Sequence, residues 1–374
     1  MSVMYRYRPH PGSPWVAEAV ARVIAHERLG FRIDPVPLPE TTEDRMAVID
    51  AIAEHRVAVV LADHLDALGV HDVTAEVVRR MRHQLVTAGL GLELDTNMVS
   101  ALLTSAGIEH LVVKGAALAA IQGLQPSQRG AGDVDLWVRP ADLVRTEALL
   151  HQHGWSRYRA TLPNPTDGWR WRLLMSVGNE LPQRSDRANA VDIHWRLTQN
   201  SGEHIPDFDE AYARSVPAAP LVDGVRTLCP TDALNHLAQH GRKDAWPTLR
   251  HVVDLVRVAD RCEPNDLRDM AERLPNVALA LAVAELATGM RVEHWHPAPR
   301  TRRLADEAWH SCLSLRNPLA QRLQAGSPAA RWQFEWWQIR SAPTWTSRMS
   351  WGCRLAIPLQ RLVRPTSDGV GRRR

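Results

Sequence analysis

Lysine is almost missing from this chain. Only Lys114 and Lys243 occur among 45 basic residues, and the rest are arginine. A GC-rich genome explains such a bias, and it removes any lysine that arginine can replace. A surviving lysine therefore points to a specific need. Phenylalanine is scarce, with three copies against fourteen tryptophans. Cysteine is sparse and scattered: Cys229, Cys262, Cys312 and Cys353 form no Cys-x-x-Cys pair. That excludes a disulfide framework or a zinc knuckle and reads as free thiols in a reducing cytoplasm. Long apolar runs are also lacking. Val277–Ala284, the longest aliphatic one, is far short of the roughly 20 residues that span a bilayer. The opening MSVMYRYRPHPGSPW has no apolar stretch of the secretory kind. Charge of one sign is not in excess either. A net charge of +3 sets up no strong field toward nucleic acid, and no repeat of fixed period is present.

What is present is ordinary globular material, 45% apolar and 23% charged over 374 residues. Residues 1–105 read as helices. PWVAEAVARVIAHE has helical apolar spacing, and Thr-Thr-Glu-Asp at 41–44 is a good N-cap for the next helix. VTAEVVRRMRHQLVTAGLGLELDTNMVSALLTSAG reads as one long amphipathic helix with a candidate break at Gly89–Gly91. The pattern then changes over residues 106–218. HLVV is a short apolar run ended by Lys-Gly, AALAAIQGL is helical, and DVDLWV alternates with period two. PADLVRTEALLHQHGW opens on proline and closes on glycine, as helices do, and ANAVDIHWRL alternates again. Residues 219–374 return to helices and end in an Arg- and Trp-rich tail. The expected class is α+β, a small mixed β-sheet flanked by N- and C-terminal helical regions.

Chemistry concentrates in the centre. Alternate residues of a strand share a face and lie roughly 6.5–7 Å apart. Asp133 and Asp135 therefore point one way, while Val134 and Leu136 point into a core. Two carboxylates on one face repel unless a cation sits between them. Mg²⁺ is well suited to that position, because it takes hard oxygen ligands and is usually completed by substrate phosphates. Asp192 lies between apolar residues of a second strand and can supply a third carboxylate, enough for one or two ions, with Mn²⁺ as the alternative. Lys114 and Gly115 stand where a strand meets a helix, and helix N-termini receive phosphate. Arg129 offers a guanidinium fork for another phosphate oxygen. Hard-metal ligands beside anion donors are what a nucleoside triphosphate with its metal demands. His194 shares the strand face of Asp192, to orient that acid, to meet a phosphate, or to sit satisfied beneath the site.

VVKGAAL, R-GAG-DVDLWV, VDIHWRL, LNHLAQHG with LRHVVDL, and PLQRLVRP together resemble the bacterial family of uncharacterised nucleotidyltransferases, within the DNA polymerase beta-like nucleotidyltransferase superfamily. The resemblance runs from about Ile108 to Val258. It implies a strand–helix–strand nucleotidyltransferase core with Asp133 and Asp135 as Mg²⁺ ligands. Asp192 would be the third acid, which helps to activate the attacking hydroxyl. One departure stands out: the superfamily favours Gly-Ser or Gly-Gly at the turn, whereas Ala116 follows Gly115 here. The expected activity is transfer of a nucleoside monophosphate from a triphosphate such as ATP to an acceptor, in the cytoplasm, with release of pyrophosphate. A peptide natural product or a saccharide is the suggested acceptor class. Rival readings are a catalytically inactive nucleotide-binding scaffold and a toxin-like enzyme that modifies RNA.

Three features have plainer readings. His236 and His240, four apart, share a helix face, but without a third ligand they favour packing, or a contact with nucleotide or acceptor, over zinc. Trp332, Phe334, Trp336 and Trp337 read as a stripe for core or interface burial. The Arg-rich tail reads as a solvated end.

Overall fold

The computed structural model describes residues 8–349, apart from 130–131, 159–161, 187, 199–204, 220, 222–223 and 315–327. The Arg-rich tail beyond 349, including Cys353, lies outside the described residues. The N-terminal helices are α1 (Ser13–Leu29), α2 (Thr42–Glu54), the single turn α3 (Ala58–Leu61) and the long α4 (Val73–Ser105). Thr41 caps α2 through its side chain, which accepts from the Asp44 amide. Asp72 caps α4 in the same way, accepting from Thr74. No break occurs in α4. Gly89 is there for packing: a Cβ on it would stand 2.8 Å from the Ser127 Cα, so glycine lets a second backbone lie against the helix.

The α/β centre follows the expected order. It comprises β1 (His110–Val112), α5 (Gly115–Gln122), α6 (Pro126–Arg129), β2 (Asp133–Val138), α7 (Leu143–Gln152), β3 (Ser156–Arg157), α8 (Trp169–Val177), β4 (Glu180–Arg184) and β5 (Ala190–His194). The sheet order is β1-β2-β5-β4-β3. β2 and β5 run parallel, and the other pairings are antiparallel, so the sheet is mixed as expected. β4 is not evident from alternation because Pro182 interrupts it. The Pro182 carbonyl accepts from the Tyr158 amide, so its N–H-less nitrogen also faces the short β3 rather than β5.

A short ribbon, β6 (Val216–Pro217) with β7 (Arg226–Thr227), follows α9 (Phe208–Arg214). The chain then turns helical: α10 (Pro230–Asp244), α11 (Leu249–Ala259), α12 (Pro264–Arg273), α13 (Pro275–Thr288), α14 (Pro299–Leu313) and α15 (Pro328–Ser341). One apolar cluster joins α1–α4 to α10–α14, with Val16, Val20, Ile52, Leu61, Val253 and Val283 among its members. A second cluster lies between the sheet and α4, built on Leu103, Val134, Leu136, Val191 and Ile193. No helix of the described residues is long and apolar enough to cross a membrane. Cys229, Cys262 and Cys312 are free thiols.

The end of α10 is tied down by α15. The Trp337 Nε1 donates to the Arg242 carbonyl at 2.7 Å, and the Gln338 amide donates to the Lys243 carbonyl. The fully buried Arg242 side chain donates back to the Gln338 Oε1 at 3.2 Å and the Ser341 Oγ at 3.3 Å. The Arg242 carbonyl, which also accepts from the Ala245 amide at 3.2 Å, gains a second donor, and the Lys243 carbonyl near the helix end gains one. The expectation of a buried tryptophan stripe holds for this inward side alone. Trp332 and Trp336 are exposed and stack on each other, with ring centroids 6.4 Å apart.

Candidate active site

The sheet register brings the acids together. Asp135 on β2 lies directly opposite Asp192 on β5, and Asp133 lies opposite Ala190. Paired strands are about 4.8 Å apart, so the three carboxylates share one small patch on one face. Their alternate neighbours Val134, Leu136, Val191 and Ile193 fill the core behind. That alternation is why this sequence folds with its acids outward at this point. Glu180 on β4 pairs with His194 and adds a fourth carboxylate on the same face.

These acids line a cavity of about 310 Å³. Lys114, Gly115 and Arg129 line it as well, so six of the seven residues singled out from the sequence meet there. Gly115 starts α5 with φ +54°, a left-handed conformation suited to glycine, which explains the abrupt strand-to-helix turn. Cations that sequence reasoning did not assign complete the wall: Arg56 beyond α2, Lys243 at the end of α10 and Arg250 on α11. Lys243 did carry a signal. Both lysines of the chain face this one cavity.

Two of the seven are engaged by other side chains of the site. Arg129 lines the cavity with its fork already engaged. It grips Asp254 of α11 with Nε and Nη2 at 3.0 and 2.7 Å, and its Nη1 donates to the Gly115 carbonyl at 3.2 Å. The competing principle is burial: Asp254 is only 3% exposed and an unpaired carboxylate there is costly. His194 takes the buried place among those open to it. It is 2% exposed, beneath the surface, with Nε2 on the Asp135 Oδ1 at 2.9 Å.

The electrostatics follow from these contacts. Burial alone would push the Asp135 carboxyl up. Lys114, whose Nζ lies 2.9 Å from Oδ1, and His194 outweigh burial and hold it well below the usual carboxylate range. Burial also works against the Lys114 ammonium, but Asp135 and the neighbouring acids push it above its ordinary value. Asp133 is raised by burial and by the charge of Asp135. Asp192 is pushed up to about 6 by burial first, then by Asp135, Glu180 and Asp133.

Asp192 gives a pH-dependent expectation. The unfolded chain carries that carboxyl near its ordinary 3.8. Between about pH 4 and pH 6 the folded protein therefore holds a proton that the unfolded chain has lost. The ionised carboxylate weighs against the fold, fully so above about pH 6. Asp192→Asn is expected to raise stability at about pH 7.5 by about 1 kcal/mol, because solvent reaching the carboxyl screens the repulsion, with the gain fading toward about pH 4. Urea denaturation without divalent metal checks this, and an Asn variant less stable than the parent at neutral pH would contradict the repulsion described.

Among the described residues, no three His, Cys, Asp or Glu side chains already stand together as a metal-holding group. The donor set nevertheless fits a hard divalent cation. Asp133 and Asp192 are raised by burial first and then by the neighbouring carboxylates, and a cation would offset both. Lys114 and His194 both contact Oδ1 of Asp135, which leaves Oδ2 outside those contacts. His236 and His240 are edge-to-face at 6.4 Å, with His236 buried behind the wall and His240 lining it.

A family model described as uncharacterised nucleotidyltransferase matches residues 41–290. No curated protein matches the chain. The matched span begins at the cap of α2 and ends just beyond α13, wider on both sides than the stretch in which the motifs were recognised. It contains every residue that lines the cavity and covers more than half of the sequence, so the chain belongs to the uncharacterised nucleotidyltransferase family.

Proposed function

We propose that the protein is a Mg²⁺-dependent nucleotidyltransferase that moves a nucleoside monophosphate from a nucleoside triphosphate onto an acceptor and releases pyrophosphate. The register of Asp135 against Asp192, with Asp133 on the same face and arginines and lysines lining the same cavity, carries this reading. Asp133 and Asp135 would hold the ion, with Asp192 at a second ion or at the acceptor's proton. The ion, when bound, neutralises phosphate charge and polarises the phosphoryl group under attack. Lys243 and Arg250 are placed to hold non-reacting phosphate oxygens as point charge and fork. The Gly115 turn lets backbone come close to them. The acceptor oxygen would form a bond to the α-phosphorus as the bond to the bridging oxygen breaks, and Asp192 would take the acceptor's proton. Positioning and charge neutralisation suffice, because phosphoryl transfer asks little covalent chemistry of the protein.

Pyrophosphate release from each of the four triphosphates, over a panel of hydroxyl-bearing peptides and saccharides, tests the reading. Release is expected with Mg²⁺ or Mn²⁺ and should stop on adding EDTA. A chelator-insensitive signal would refute it. A second reading rests on the Lys114–Asp135 contact, which already occupies one oxygen of a would-be ligand. A module that binds nucleotide without turnover would show triphosphate binding and no pyrophosphate with any acceptor.

A further inference from the structure

The cavity wall is charged almost throughout, with one exception. Among the described residues that line it, and apart from its glycines, the uncharged ones are Leu237, His240 and His251. Leu237 and His240 are three apart on α10 and so share a helix face. His251 reaches in from α11. The two imidazoles lie nearly parallel, 14° between planes and 5.7 Å between centroids. Both are kept neutral. Burial lowers His240 well below its ordinary value, with Lys114 adding to it, and burial brings His251 down to about 4. The pair is also held in place: the Thr248 hydroxyl meets the His251 Nδ1 at 2.8 Å, and the His236 ring backs His240 edge-on.

A flat, uncharged, fixed surface is a poor place for phosphate or metal and a good one for a heteroaromatic ring. Its position suits one part of a nucleotide in particular. His240 and Lys243 are three apart on the same helix, so the flat wall and a triphosphate-facing cation are one helical turn from each other. We infer that Leu237, His240 and His251 form the seat of the nucleobase. The ring of the base lies against the imidazole pair while its triphosphate reaches toward Lys243. This rests on the reading that the cavity takes a nucleoside triphosphate, and it adds how the base is recognised. Stacking reads the face of a base rather than its edges, so the seat takes all four bases with small preference.

The experiment compares two ligands by calorimetry with Mg²⁺: α,β-methylene triphosphate analogues, which cannot turn over, and inorganic tripolyphosphate, which has no base. The parent should bind the analogues more tightly than tripolyphosphate, and the four bases within a few-fold of one another. His240→Ala should weaken analogue binding about tenfold, the loss of one base–aromatic stack, and leave tripolyphosphate unchanged. His240→Phe should keep most of the affinity. Lys243→Ala should weaken both ligands. Unchanged tripolyphosphate binding also shows that a variant is folded, and His251→Ala serves if His240→Ala is not. The inference fails if the nucleoside adds nothing over tripolyphosphate in the parent, or if His240→Ala weakens both ligands equally. Binding of neither ligand by the parent would sink the nucleotide reading and this inference with it.

Discussion

Asp133→Asn is expected to cut pyrophosphate release by about 10³-fold or more, the scale on which losing a group that neutralises transition-state charge is felt. Its stability should not suffer. The Asp133 carboxyl is raised by burial and by Asp135, so its ionised form is unfavourable unless a cation is near. Asp135→Asn should be equally inactive and, in contrast, unstable. That carboxylate is 3% exposed and receives both Lys114 and His194 on one oxygen. An asparagine there strands a half-buried ammonium, and breaking a buried pair from one side costs about 3–5 kcal/mol. Steady-state pyrophosphate assays together with urea melts separate the two variants. An active Asp133→Asn would end the metal-ligand reading, whatever the stability data say.

Asp254→Asn carries the second large effect, and it lies outside the acids that would hold the ion. Asp254 accepts two contacts from Arg129 and one from Gln122, and these pin α6 and α5 to α11. Burial works against its carboxylate, but Arg129 outweighs this and holds the carboxyl down at about 2. Removing its charge leaves Arg129 buried without its partner, with an expected loss of about 3–5 kcal/mol. Arg129 also donates to the Gly115 carbonyl, so the turn that begins α5 should loosen with it. Urea melts read the stability, and KM for the triphosphate reads the turn. A loss under about 1 kcal/mol would mean the pair behaves like an exposed ion pair.

How much of this is legible from residues alone differs by element. β1, β2 and β5 are readable because each is a short apolar or alternating run bounded by turn formers, and the acids stand out as carboxylates within them. β4 is hidden by Pro182, whose tolerance depends on the strand beside it, a tertiary fact. The Arg129–Asp254 pair is hidden because the two are 125 residues apart and no local pattern joins them. Arg56 and Arg250 cannot be picked from so many arginines. Lys243 could be, on the same scarcity argument that singles out Lys114. His240 is noticeable for its spacing to His236, but its stacking partner His251 arrives on the next helix, and helix-to-helix contacts are invisible to periodicity.

The clasp between α15 and the end of α10 bears on where this protein can be cut. The family match stops at residue 290, while the tryptophan and glutamine that cover the last α10 carbonyls sit at 337 and 338. A polypeptide trimmed to the family's own borders would lose the donor to the Lys243 carbonyl, take away two acceptors of a guanidinium sealed in the interior, and let Lys243 drift from the cavity.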